Sequence, residues 1–223
     1  MFVKDGPPAI TDRPRRVPTQ ARGRERVARI LEAAAAEFDE RGYDAATTGS
    51  IAQRAGVPIG SLYQWFPSKG ALLAAIAERY RDAALAQVDG MLGEAALAAP
   101  LPALVDALVD GMASFHLGEA GYRTLSAAML SPEATHAIAE LHRGWVERAE
   151  RFVAARAPGL GREEREVVAL ASVHAVDLIK YLPRCEREAD RARLVREAKA
   201  MLLRYLEPIE REHGPARGAK KRR

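Results

Sequence analysis

A single cysteine, Cys185, stands in a chain of 223 residues, which leaves no partner for a disulfide and fits a reducing compartment. No cysteine and histidine pairs fall at the spacings that structural zinc uses, so no metal is expected. Aromatic residues are scarce at 6%, and strand-favouring types give way to Ala, Leu, Arg and Glu. The expectation is an all-α protein. Long apolar runs are also missing: the most apolar stretch, 167–182, is interrupted by His174, Asp177 and Lys180 and is too short to span a bilayer. Asp5, Pro7 and Pro8 occupy the place where a signal peptide would carry its apolar segment. A soluble, cytoplasmic chain with no membrane partner is expected. The sequence lacks Gly-x-Ser-x-Gly, a P-loop, a dinucleotide fingerprint after a strand, and His-Glu-x-x-His. No enzyme, catalytic residue or cofactor is therefore expected, with catalysis in a helical-bundle pocket the remote alternative.

What is present is charge, unevenly placed. The formal net charge is +4, but residues 1–26 carry seven basic and three acidic groups, and residues 208–223 carry six and two. The body between them is net negative. Basic ends on a helical body suit neutralisation of phosphates with release of counterions, or else act only as solvated tails.

Along the chain, residues 1–18 are rich in Pro and Arg and read as a basic, disordered arm. Val27, Ile30, Leu31, Ala34 and Phe38 then form one apolar helical stripe within a helix of about 19–41, closed by Gly42. Thr47 caps a short helix holding Ile51, Ala52 and Ala55, with Ser50 in the reciprocal position of a capping box. Gly56 stops that helix and Pro58 opens the next. After Pro67-Ser68 a longer helix carries Leu72, Leu73, Ile76, Ala77 and Tyr80. Helical periods return at about 101–117, 122–130, 133–156, 162–182 and 187–206. The implied organisation is a helix-turn-helix domain at 19–67, a connecting helix at 68–92, a helical-bundle domain at 93–207 and a basic tail at 208–223.

Between Ile51 and Trp65 the side chains have the sizes that two short, steeply crossing helices need. Ala52 allows close approach, Gly56 can take the left-handed conformation of the turn, and Val57 and Leu62 face inward. The second helix then presents Ile59, Gly60, Ser61, Tyr63, Gln64 and Trp65 outward, where a recognition helix meets the major groove. Spacing alone also suits an ordinary helical corner.

The longer frame, from Ile30-Leu31 through Phe38, Gly42-Tyr43, Thr47, Ile51-Ala52 and Ala55-Gly56-Val57 to the run Gly60–Lys69, resembles the TetR/AcrR family of bacterial transcriptional regulators over roughly residues 24–80. The resemblance implies a homodimer with a three-helix DNA-binding head, a larger ligand domain, and release from a near-palindromic double-stranded operator when a small-molecule effector binds. It makes Thr47 a cap that also reaches a phosphate, with Thr48 beside it, Tyr63 a backbone or base contact, and Lys69 a phosphate anchor at a helix start. Ser61, Gln64 and Trp65 are the remaining contacts, Gln suiting adenine and Trp a thymine methyl or sugar. Arg22, Arg24 and Arg26 would lie along the backbone or in the minor groove. Gly49, Ile59 and Gly70 depart from the family's usual charged residues, and the first two remove potential phosphate or base contacts, which shifts the expected affinity toward the N-terminal arm. A constitutive or nucleoid-type binder without an effector is the alternative within DNA binding.

The helices at 162–182 and 187–206 are the expected dimer interface, with seams Val168, Ala171, Ala175, Leu178 and Val195, Ala198, Leu202, Tyr205. The effector pocket is sought at polar or aromatic groups on inward positions: Met112, Phe115, His116, Met129, His142, Trp145 and His174. Asp177 and Tyr181 share a face with His174, and all three equally suit a hydrogen-bonded network at the dimer seam. The helix at 69–89 is the expected lever between the effector domain and the head.

Overall fold

A computed structural model describes residues 21–118 and 132–215, and within them the side chains of all but residues 132–135 and 183–184. Every regular element among the described residues is helical: α1 (Ala21–Arg41), α2 (Thr48–Arg54), α3 (Ile59–Trp65), α4 (Lys69–Met91), α5 (Glu94–Ala98), α6 (Leu101–Gly118), α7 (Pro132–Arg156), α8 (Arg162–Val176), a 3-10 segment (Asp177–Arg184) and α9 (Glu188–His213). The chain divides into two compact units, Met1–Ala83 with Gly118–Leu141, and Ala84–Leu117 with His142–Arg223. The helix expected at 122–130 lies outside the described residues.

In the first unit, α1 buries Ile30, Ala34 and Phe38, spaced as its apolar stripe requires. It ends because Gly42 takes a φ of +81°, the left-handed geometry that closes helices. The Thr47 hydroxyl accepts from the Ser50 N–H while the Ser50 hydroxyl caps Thr47, which completes the expected capping box and starts α2. Arg54 on α2 reaches back to Glu37 and Glu40 on α1. Arg41 flanks the buried Glu37 at 3.2 Å, so the carboxylate is matched by two guanidinium groups. The Ser68 hydroxyl accepts from the Ala71 N–H and starts α4. Residues 71–77 of α4 are all buried, so this helix is enclosed on every side over two turns.

In the second unit, Leu104, Val105, Val109 and Met112 of α6 pack with Ile179, Leu182, Ala198 and Leu202. Gly144 on α7 sits where an added methyl would come within 2.7 Å of Leu85, so a residue without a side chain sets the α4–α7 approach there. Asp89 and Arg148 fasten the same two helices through paired hydrogen bonds, and the guanidinium holds the Asp89 carboxyl below its usual range.

Three elements differ from the sequence reading. The helix expected to run to 182 ends at Val176 and continues as a 3-10 segment. At three residues per turn, Ile179 and Leu182 fall on one side, and both are fully buried. The last helix, expected to stop at 206, continues through Pro208 to His213. Proline removes one backbone donor there, and the next turn is retained by Ile209 packing beside Val153 and Leu160 and by the Glu210–Arg156 ion pair. The five-residue α5 has no apolar period long enough to betray it. It is closed by Arg156, which donates to the carbonyls of Leu97 and Ala99.

Candidate nucleic-acid interface and effector cavity

The turn between α2 and α3 is tight because Gly56 adopts a φ of +64°. It lets Val57 N–H bond to the Ala52 carbonyl at 3.1 Å while Ala52 and Leu62 are buried beneath. With Leu62 turned inward, α3 presents its other side to solvent: Ile59 is 44% and Tyr63 43% exposed, and Gly60 and Gln64 are exposed with them. Large apolar groups left open on a seven-residue helix suggest a surface that something else covers. The Tyr63 hydroxyl shares a 2.9 Å hydrogen bond with Thr48 Oγ1, which ties the start of α2 to this face and fixes the tyrosine. Ser61 and Trp65 are half-buried, and the indole Nε1 of Trp65 is buried without a hydrogen-bond partner. Thr47 is exposed beside Thr48. Arg22, Arg24 and Arg26 lie in the first turns of α1 rather than in an extended arm, with Arg22, Arg24 and Arg26 turned to solvent there.

Lys69 is placed differently from a side chain reaching into solvent. Its ammonium donates to the carbonyls of Tyr43 (2.6 Å), Asp44 (3.1 Å) and Ala46 (3.1 Å) and lies 4.5 Å over the Tyr43 ring. Three acceptors match the three hydrogens of an ammonium group. The resemblance makes this residue a phosphate anchor; here it secures the loop that leads into the Thr47 cap.

In the second unit, an apolar cavity with about 770 Å³ of empty space, part of it open to solvent, is bounded by α4, α6, α7, α8, the 3-10 segment and α9. Val88, Leu108, Phe152, Val176 and Leu206 supply hydrocarbon, and His116, Trp145, Ser172 and Asp177 supply its polar atoms. His116 Nδ1 lies 2.8 Å from the Met112 carbonyl, an acceptor, so the proton sits on Nδ1 in the neutral ring. Burial pushes the His116 pKa down to about 4, against the smaller opposing effect of that hydrogen bond. Ser172 is satisfied by its bond to the Val168 carbonyl. The indole Nε1 of Trp145 is buried with no hydrogen-bond partner.

Of the residues expected to meet an effector, Met112, His116 and Trp145 line this cavity together. Phe115 is half-buried and turns its ring edge to His116. His142 and His174 stand off the lining, their ring centroids 4.8 Å apart, and cluster around Asp177, which does line it. The pKa of His142 is lowered by burial first; Asp177 opposes that shift, and the neighbouring His174 and Lys180 add smaller lowering effects. Met129 lies outside the described residues. Phe152 and Ser172 carry no signal in the sequence, because a lone aromatic or serine on an apolar helix face is indistinguishable from core.

Two family profiles match the chain. Residues 30–76 match "Bacterial regulatory proteins, tetR family", and residues 100–206 match "Tetracyclin repressor-like, C-terminal domain". The chain belongs to the tetR family of bacterial regulatory proteins. Among curated relatives, the HTH-type transcriptional repressor KstR of Mycolicibacterium smegmatis is 39% identical over 79 residues, 35% of this chain and 37% of that protein. The matched stretch thus spans little more than a third of that relative. Over the tetR fold as a whole, a TetR-family regulator from Streptomyces coelicolor aligns with a TM-score of 0.56 at 27% identity, covering 82% of this chain and 99% of that one. FadR of Bacillus subtilis, solved in complex with stearoyl-CoA, aligns with a TM-score of 0.59 at 16% identity over 78% of this chain and 96% of its own. That second likeness concerns the fold.

Proposed function

We propose that this tetR-family chain is a cytoplasmic, sequence-specific DNA-binding repressor that works as a homodimer and leaves its operator when a largely apolar small molecule enters the cavity of the second unit. The observation that carries the DNA-binding reading is α3, which buries Leu62 completely and leaves Ile59, Gly60, Tyr63 and Gln64 to solvent on a turn held by Gly56. In this reading Gln64 reads a base edge, Tyr63 and Thr48 act as one fixed pair, and Thr47 faces a phosphate. Lys69 contributes by holding the 43–46 loop in place.

The dimer surface is assigned to the faces that α8, the 3-10 segment and α9 leave open. Val168, Ala198 and Leu202 of the expected seams are buried within the protomer, because these helices use that side for their own core. Val167 at 61% exposed, Met201 at 47%, Tyr181 and Tyr205 are the apolar groups left for a partner. For the effector, the hydrocarbon lining with a few polar groups suits an amphipathic molecule with a long apolar part, and stearoyl-CoA in the FadR structure is a ligand of that type. Such a molecule acts only if it binds the DNA-incompetent arrangement better, with coupling of roughly 1–3 kcal/mol, or about 5–150-fold in affinity.

The test is titration of the full chain against DNA upstream of its own gene and against a random duplex of equal length, at two salt concentrations. Repetition with stearoyl-CoA added addresses the effector. Selective binding by two chains per site, weakened by the acyl-CoA, is expected. Equal affinity for both duplexes would overturn the repressor reading, and selective binding that no acyl-CoA disturbs would overturn the effector class.

A further inference from the structure

The cavity, Lys69 and the open faces of α8 and α9 are all absorbed by the regulator reading. One cluster of chemistry-bearing side chains is not. Beside the cavity, His142 of α7, His174 near the end of α8 and Asp177 at the start of the 3-10 segment each offer one ligand atom, and these atoms all lie within 4.8 Å of one another. All three belong to the second unit. The geometry points to a binding site for one divalent first-row transition-metal cation, held by the two imidazoles and the carboxylate.

Three observations support it. First, ligand atoms around a tetrahedral cation with bonds of about 2.0–2.2 Å stand roughly 3.4 Å apart. His174 Nδ1 and Asp177 Oδ2 are already 3.5 Å apart, and with all three atoms within 4.8 Å the third group has at most about 1.4 Å to close. Second, the cluster does not satisfy itself with hydrogen bonds. His142 Nε2 is buried and has no hydrogen-bond partner, an orphan polar atom that a metal would satisfy. Third, the donor set is selective: two nitrogens and one carboxylate oxygen suit Zn²⁺, Co²⁺ or Ni²⁺, whereas Mg²⁺ and Ca²⁺ prefer oxygen alone. One feature opposes a cation. Lys180 Nζ lies 3.8 Å from Asp177 Oδ2 and neutralises part of the carboxylate's charge, so it lowers affinity without occupying a ligand position. Three protein ligands leave a coordination position for water or for an anionic group of a molecule in the cavity, since Asp177 belongs to both.

This inference does not rest on DNA binding, and the experiment keeps the two separate. The full chain, with any affinity tag removed and stripped of metal by dialysis against a chelator, is titrated calorimetrically with Zn²⁺ and then with Mg²⁺. One Zn²⁺ per chain and no response to Mg²⁺ are expected. His142→Ala, His174→Ala and Asp177→Asn should each weaken Zn²⁺ binding by about 100-fold or more, since outer-shell changes alone cost about 10–100-fold. His136→Ala and His213→Ala should not weaken it, and Lys180→Met should tighten it. Far-UV circular dichroism checks that each variant remains folded; His174 is exposed, so its variant remains decisive even if a substitution at the half-buried His142 unfolds the chain. No Zn²⁺ uptake by the wild-type chain, or undiminished binding in folded His174→Ala, would overturn the proposal.

Discussion

His116 shows how one buried side chain links this fold to pH. Its pKa is about 4 in the folded protein against an ordinary 6.5, so in the window between them the unfolded chain binds the proton and the folded one does not. A lowered histidine pKa means that stability is fully present above pH 6.5 and is lost as pH falls toward 4. The His116 share of that loss should reach about 3 kcal/mol by pH 4. Urea unfolding of the wild-type chain and of His116→Leu at neutral and acidic pH checks it: the variant should lose less stability on acidification, and an identical loss would remove His116 from the account. The duty of Lys69 likewise depends on its surroundings. The motif marks the position as a lysine, but only the three carbonyls around its ammonium show that the charge is spent on the protein's own loop.

At the scale of elements, the short helices of the head depend on two glycines with different duties. Gly56 holds a φ of +64°, a conformation that costs a residue with a side chain about 1–2 kcal/mol. Gly60 has an ordinary φ and nothing within 4 Å of a built methyl group, so alanine there should not destabilise and can add up to about 1 kcal/mol of helix stability. Gly56→Ala should therefore lower the melting temperature. Gly60→Ala should leave it unchanged or raised and yet weaken operator binding, because its methyl would stand between α3 and the DNA. Melting curves beside DNA titrations separate the two, and full operator affinity in Gly60→Ala would exclude close approach of α3 at that point.

The whole molecule adds long-range charge. Residues 1–18 contain four basic groups, Lys4, Arg13, Arg15 and Arg16, while the chain from 27 to 207 is net negative. If the arm neutralises phosphates, its deletion should weaken operator binding and make the dependence of log affinity on log salt shallower, by about 0.9 for each phosphate that the arm had neutralised. Binding measured from low to moderate salt decides the matter, and an unchanged slope would leave the arm without an electrostatic role. No described helix is long and apolar enough to cross a membrane.

Local rules made the head legible in the sequence. The Thr47–Ser50 capping box, the left-handed Gly42 and Gly56, and the apolar spacing of Ile30, Ala34 and Phe38 all act within a few residues, and each stands in the structure as the pattern required. The second unit was legible as helices and little more, because a helical period tells which side of a helix is apolar and not what covers it. Hence Ala198 and Leu202 read as a dimer seam but are the protomer's own core, and Trp145 could not be told from packing until a cavity stood beside it. The histidine pair illustrates the same limit most plainly. His142 and His174 stand on different helices at no recognisable spacing, and no local period relates them. The sequence by itself determined the helices of the head, their caps and the turn between α2 and α3; only the tertiary structure decided where the helices of the second unit end and which side chains from distant helices meet, because that depends on how helices pack and not on how any one of them is written.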